Sequence, residues 1–509
     1  MTRGDKRYIE RRTESRPGRT KWNTVKNLSA TTLAELNPEV SLPGYLDARP
    51  RVGLAHIGVG NFHRSHQAMY LDRLLSADPA LPWAICGVGM REEDRGLATA
   101  LAEQDYLYSL SLLGSDGTVE SSVIASIREF ILAPDAPERA LARLSDPSIR
   151  IVSLTITESG YVEDPANHRA AATDPAILAD IADGLASPRS AFGLLVAALR
   201  ARRDAGDAPF TVMSCDNIQN NGAVARASVV ATARLVSDEL AAWIEENVSF
   251  PSTMVDRITP RATPEQRDVV DRTLGVHDAA AVVAEPFEQW VIEDDFRSGR
   301  PAFDEVGAVF VDDIDAYESM KLRLLNGAHQ VMAYVGSIAG HTFVHEAMDD
   351  PWVASWVEAY SRRLALPTVD LPDGVDGNDY ISVLDGRFRN PAIADTLERL
   401  ATDSGDRMAK FVLPVLLDAR STPVFREIAP TILASWAVTI ARTSSPVILE
   451  SVSDDVLRAV RSEEDPAGFL ASVDWLEPLS ADAELRDAVA EAVTNLRAGR
   501  LLEPGAAAG

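Results

Sequence analysis

The feature that most restricts the fold is a spaced series of β-rich runs at residues 52–59, 83–89, 149–157 and 210–214, separated by stretches with helical periodicity. Alternation of this kind is what βαβ units require, because parallel strands need a helix-length crossover between them. The run IRIVSLTIT at 149–157 is nearly continuous in β-branched and apolar residues. That suits a strand covered on both faces, as in a parallel sheet. After about residue 310 the β-runs fade and helical periodicity carries on towards the C-terminus. The expectation is an α/β fold, with a sheet domain over 27–310 and a mostly helical domain over 311–509.

Residues 1–26 carry nine Lys/Arg against three acids and almost nothing apolar, which reads as a disordered basic extension. The stretch LPTVDLPDGVDGND at 366–379 reads as a loop inside the helical domain, and EPGAAAG as a frayed end. The whole chain has 49 Lys+Arg against 76 Asp+Glu, a formal charge of −27. Nucleic acid and anionic membranes are polyanions and need clustered cations, so neither is expected as a partner. The two cysteines, Cys86 and Cys215, are too few for a disulfide framework or a four-ligand zinc site and suit a reducing cytoplasm. No uninterrupted apolar run approaches the ~18 residues of a membrane span. A monomer or weak oligomer is expected.

The first run leads into Gly58-Val59-Gly60-Asn61-Phe62-His63, followed by a helical pattern. A strand, a glycine turn and a helix start offer backbone N–H donors and a positive dipole end to a pyrophosphate. The match is incomplete, because His63 stands where a third glycine is usual. The second run leads into Met90-Arg91-Glu92-Glu93-Asp94. An acid there, Glu93 or Asp94, can accept hydrogen bonds from a ribose hydroxyl and repel a 2′-phosphate, which favours NAD over NADP.

The segment YESMKLRLLNGAH at 317–329 spaces a lysine, an asparagine and a histidine as K-x4-N-x2-H. On a regular helix Asn326 lies roughly 140° and His329 roughly 80° from Lys321, so the three can share a face. A desolvated lysine can act as a general base for an alcohol proton, Asn326 can hold a developing alkoxide, and His329 can fix a neighbouring hydroxyl. Tyr317 and Lys321 also form Y-x3-K, a pair used by short-chain dehydrogenases, but at the wrong place in the chain for them. His341 and His345, four apart, lack further metal ligands, and no metal is expected.

Six segments, GVGNFHRSHQ, TITESGY (155–161), TVMSCDN (211–217), MVDRITP (254–260), EPFEQWVIED (285–294) and K-x4-N-x2-H, resemble the polyol-specific long-chain dehydrogenases over roughly residues 28–415. The resemblance implies a Rossmann-type N-terminal domain, a mostly α-helical C-terminal domain, NAD as cofactor and oxidation of D-mannitol to D-fructose without a metal. It implies Lys321 as the catalytic base, Asn217 and Asn326 as holders of the reacting oxygen and His329 as an orienting group. Glu318 would relay protons, Asp256 and Arg387 would bind substrate, and Glu93 and Asp94 would set the NAD preference. AAWIEENVSFPSTMVDRITP (241–260) also resembles fructuronate reductases, which interconvert D-mannonate and D-fructuronate. D-arabinitol and sorbitol remain open as substrates, and a dinucleotide-binding regulator without catalysis is the alternative of another class.

Overall fold

A computed structural model describes residues 26–162 and 170–504. The basic stretch expected to be disordered lies, apart from Lys26, outside the described residues, as do the last five. Eleven strands occur among the described residues: β1 Val52–Ile57, β2 Ala84–Gly89, β3 Tyr108–Leu113, β4 Val119–Ile124, β5 Ile127–Leu132, β6 Ile151–Leu154, β7 Thr211–Ser214, β8 Thr253–Asp256, β9 Val282–Ala284, β10 Gln289–Glu293 and β11 Val309–Val311. The four β-rich runs of the sequence become β1, β2, β6 and β7. With β5 they form one parallel sheet in the order β5-β2-β1-β6-β7. Two three-stranded sheets, β11-β10-β8 and β4-β3-β9, complete this half of the chain.

Strand periodicity assigns the two faces of the large sheet. Leu54, Ile85, Ile127, Ile151 and Met213 pack on one side with Met69, Leu71 and Leu74 of the helix Gln67–Ala77. Ala55, Ile57, Cys86, Val88, Val152, Leu154 and Val212 pack on the other with Leu194, Leu195 and Ala198 of the helix Ala191–Ala205. Covering on both faces is what the unbroken apolar run at 149–157 calls for. The helix Ala191–Ala205 begins where Ser190 Oγ accepts the Gly193 amide and stops at Gly206, whose φ of 77° ends the right-handed run.

Two runs end earlier in the structure than in the sequence. Strand β1 stops before Gly58, which has φ 93°. Strand β6 stops at Leu154 because the amides of Ile156 and Thr157 turn to the Asp216 carboxylate, at 3.0 and 2.8 Å, instead of continuing the ladder. Five parallel strands whose order reverses between β1 and β6 leave a crevice at their carboxyl ends.

From Asp315 the described chain is helical, with its own core running from Met320 to Leu496. The helix Pro423–Arg442 lies at its centre. It has the length of a membrane span and a mean hydropathy of 1.3, but 78% of its apolar window is buried inside the protein. The region after residue 440 folds onto this helix through Ala483–Arg497. Beyond it, the Leu502 carbonyl accepts the indole N–H groups of both Trp352 and Trp356, at 2.7 and 2.8 Å.

Candidate active site

A cleft of about 800 Å³ opens at the carboxyl edge of the parallel sheet. The chain leaves β1 at Gly58–Asn61, β2 at Met90–Asp94, β6 at Thr155–Gly160 and β7 at Cys215–Asn217, and all four exits line it. The helical half closes it with Lys321, Leu325, Asn326 and His329, and with Arg399, Arg407 and Phe411.

Gly58 has to be glycine. Its φ is positive, and a Cβ there would lie 2.1 Å from the Thr155 carbonyl oxygen. Gly60 faces the cleft with only the Gly58 carbonyl within 4 Å, so backbone is open to a ligand at the start of the helix Asn61–Ser65. Asp94 lines the cleft, and its Oδ2 accepts the Arg91 amide at 3.0 Å. Arg95 is occupied by Glu92 and Asp135. This edge can therefore hold an extended ligand with a diphosphate and a free ribose diol.

Two residues expected in this half stand elsewhere. His63 does not reach the cleft: its ring is fully buried and stacks on that of His56 at 3.4 Å, under the glycine turn. Glu93 is exposed and points away from the cleft, because the short turn Glu92–Asp94 brings only Asp94 inward. Phe62 does line the cleft and stacks on His66 at 5.0 Å.

The K-x4-N-x2-H segment is wound more widely than a regular helix. Lys321–Asn326 is a π-helix inserted between Asp315–Met320 and Gly327–Ala339. Bonding from i to i+5 brings the sixth residue back under the first, so Asn326 lies closer to the Lys321 face than the roughly 140° of a regular helix. Both line the same cleft.

Lys321, one of five lysines in the chain, is 7% exposed. Its Nζ donates to Asn217 Oδ1 at 2.5 Å and to the Val255 carbonyl at 2.7 Å. Burial holds the ammonium below its ordinary pKa, against the pull of Asp256 and Glu318. Glu318 accepts the Asn220 amide at 3.0 Å, and burial pushes its carboxyl up to about 7. A small cavity of about 20 Å³ lies between the two, lined by Asn217, Glu318 and Lys321 and large enough for one water. His329 is buried, packs on Phe388 at 4.9 Å between ring centres, and is kept neutral by burial, with its pKa lowered to about 3. Asn326 Oδ1 is buried without a partner.

Asp256, at the end of β8, lines the cleft. Burial opposes its ionisation, yet the Arg387 guanidinium holds it below the usual carboxylate range. Arg387 itself does not line the cleft. It stands behind Asp256, bidentate to it at 2.7 and 2.9 Å, so it is not placed to touch a ligand there. From the helical half the arginines facing the cleft are Arg399, paired with Asp395, and Arg407, which donates to the carbonyls of Arg399 and Leu400. Sequence reasoning missed both, and no spacing rule marks two arginines eight apart in the separate short helices Leu397–Leu400 and Ser404–Arg407. Tyr317 packs with Met254, Val291 and Ile314 and does not line the cleft. His341 pairs with Asp350 at 3.0 Å, and among the described residues no group of three or more His, Cys, Asp or Glu could hold a metal ion.

Residues 52–305 match the family described as Mannitol dehydrogenase Rossmann domain, and 313–497 match that described as Mannitol dehydrogenase C-terminal domain. A mannitol 2-dehydrogenase of Cereibacter sphaeroides is 42% identical over 438 residues, 85% of this chain and 91% of that one. Among solved structures, the Pseudomonas fluorescens mannitol 2-dehydrogenase in ternary complex with NAD and D-mannitol superposes with a TM-score of 0.82. It is 41% identical, covering 92% of this chain and 97% of that one. A substrate-free D-sorbitol dehydrogenase gives a TM-score of 0.85 at 33% identity, covering 92% and 98%.

Proposed function

Because the chain belongs to the mannitol dehydrogenase family, we propose that it is an oxidoreductase that interconverts D-mannitol and D-fructose with NAD. The observation that carries the reading is the convergence of Lys321, Asn217, Asn326, His329 and Asp256 on one cleft that also contains the glycine turn. NAD, when bound, supplies the acceptor for the hydride that leaves C2. The open backbone at Gly60 and the Asp94 carboxylate in the cleft lining fit its pyrophosphate and adenosine ribose.

Lys321 takes the proton of the C2 hydroxyl as general base, a role favoured by the burial that lowers its pKa. The amides of Asn217 and Asn326 hold the oxygen as charge develops on it. Asp256 accepts from a neighbouring hydroxyl, and neutral His329 orients another. The proton then passes from Lys321 through the small cavity to Glu318, whose carboxyl titrates near the working pH. No step calls for a metal.

Oxidation of NADH with D-fructose and with D-fructuronate, repeated with NADPH, tests this. Turnover of fructose with NADH, little with fructuronate and little with NADPH is expected. A second reading, D-fructuronate reduction, draws on Arg407, which faces the cleft without a paired carboxylate among the described residues and could meet one on a substrate. Preference for fructuronate would establish it in place of the first. Activity with neither substrate would count against both and point to the polyol panel that includes sorbitol and D-arabinitol.

Glu318 also carries a stability cost with a definite pH dependence. Its folded pKa of about 7 exceeds its ordinary 4.5, so the unfolded chain loses this proton first and the cost grows as pH rises between those values. Glu318→Gln keeps an acceptor for the Asn220 amide and cannot ionise. It is expected to be more stable than the parent by about 3 kcal/mol at pH 8, with most of the gain gone by pH 5. Urea unfolding at the two pH values measures it, and equal gains at both would refute the assignment.

A further inference from the structure

Arg387 lies one layer behind the cleft, and the mechanism above gives it no task. Four of its five N–H donors go to carboxylates from the other half of the chain. Nη1 and Nη2 meet Asp256 at 2.7 and 2.9 Å, and Nε and Nη2 meet Glu285 at 2.9 and 2.7 Å. The three side chains are 5%, 6% and 2% exposed in the order Arg387, Asp256, Glu285. The guanidinium stacks on Phe287 at 3.9 Å. Glu285 is fixed in turn by the Ile258 amide at 2.6 Å, and the buried Arg257 donates to the carbonyls of Glu285, Pro286 and Phe287. Of the three bridge members, only Asp256 faces the cleft.

A buried carboxylate beside a lysine favours the ammonium form and would disable the lysine as a base. A guanidinium engaging both oxygens of that carboxylate offsets the effect and fixes its plane. We propose that Arg387 and Glu285 are positioning residues: their bridge holds Asp256 square to the cleft and balances its charge, so that Lys321 stays available to accept a proton. This rests on Lys321 being the base. The charges acting on Lys321 are Asp256 from β8, Glu318 from its own helix and Arg387 from the helix Gly377–Phe388. His66 and His329 are buried and neutral nearby, and Tyr380, also neutral, faces the bridge.

The bridge predicts shifts of opposite sign in two variants. Arg387→Met removes the offsetting cation, so the acid limb of kcat/KM for mannitol oxidation moves up by about one pH unit, roughly a tenfold loss below the limb. Glu285→Gln removes an anion and leaves Arg387, so the limb moves down. The ¹⁵Nζ resonance of Lys321, followed by NMR in full-length protein labelled at its five lysines, should shift its midpoint in the same two directions. If Arg387→Met does not fold, Arg387→Lys replaces it. That variant keeps the charge but loses the forked geometry, so KM should rise more than tenfold with the limb in place. Unmoved limbs and midpoints in Arg387→Met and Glu285→Gln, shifts of the same sign in those two, or an unchanged KM in Arg387→Lys would overturn the proposal. Failure of the parent enzyme to oxidise mannitol counts against the proposed function instead, and the ¹⁵N midpoints then decide the bridge alone.

Discussion

Lys321→Ala is expected to lower kcat for mannitol oxidation by roughly 10³- to 10⁴-fold, at the upper end of what a positioned general base contributes. NADH should still bind, because the glycine turn and Asp94 belong to the other half of the chain and make no bond to Lys321. Fluorescence titration with NADH beside steady-state kinetics separates the two quantities. The loss should shrink as pH rises, because hydroxide increasingly replaces a missing base. A loss below tenfold would place the base elsewhere. Tyr317→Phe would then be the variant to make, although Tyr317 packs among Met254, Val291 and Ile314 and does not line the cleft.

The second large effect is expected at the asparagines. Removing one hydrogen-bond donor from a developing oxyanion typically costs about 10²- to 10³-fold in kcat, and Asn217→Ala and Asn326→Ala should each fall in that range. Their pH profiles should differ. Asn217 Oδ1 accepts from Lys321 Nζ at 2.5 Å and so favours the ammonium form. Its removal should move the acid limb of the profile to lower pH. Asn326 Oδ1 has no partner among the described residues, and its removal should leave the limb in place. Identical profiles in the two variants would show that the asparagines share one task.

The parallel sheet and its helical companion were legible because their signals are local. Period and β-branching mark β1, β2, β6 and β7, and the glycine at 58 marks the turn. Less legible were the strands of three to six residues in the two small sheets, such as β9 and β11, whose pairing depends on distant partners. At the site, Lys321, Asn326 and His329 could be grouped by helical spacing, but the π-turn that brings Asn326 closer to the lysine's face leaves no mark in composition. Arg387 shows the opposite case. Family resemblance marks it as a substrate residue, and the fold puts Asp256 between it and the cleft. Arg399 and Arg407 reach the cleft only through tertiary packing, which no periodicity encodes.

The Leu502 carbonyl, shared by two indoles from 150 and 146 residues earlier, bears on the order of events during synthesis. The sheet half of the chain can bury its strands and satisfy its ladders once residues near 311 have left the ribosome, since domains generally fold as units from the N-terminus. The helical half completes its core later, because Leu485, Val489, Val493 and Leu496 belong to it. Until translation has passed residue 502, Trp352 and Trp356 lack their acceptor, and an unpaired buried donor costs about 1–3 kcal/mol. The Rossmann half therefore stands folded on the ribosome beside an unfinished partner. The cleft, whose Lys321, Asn326 and His329 come from the later half, is assembled last.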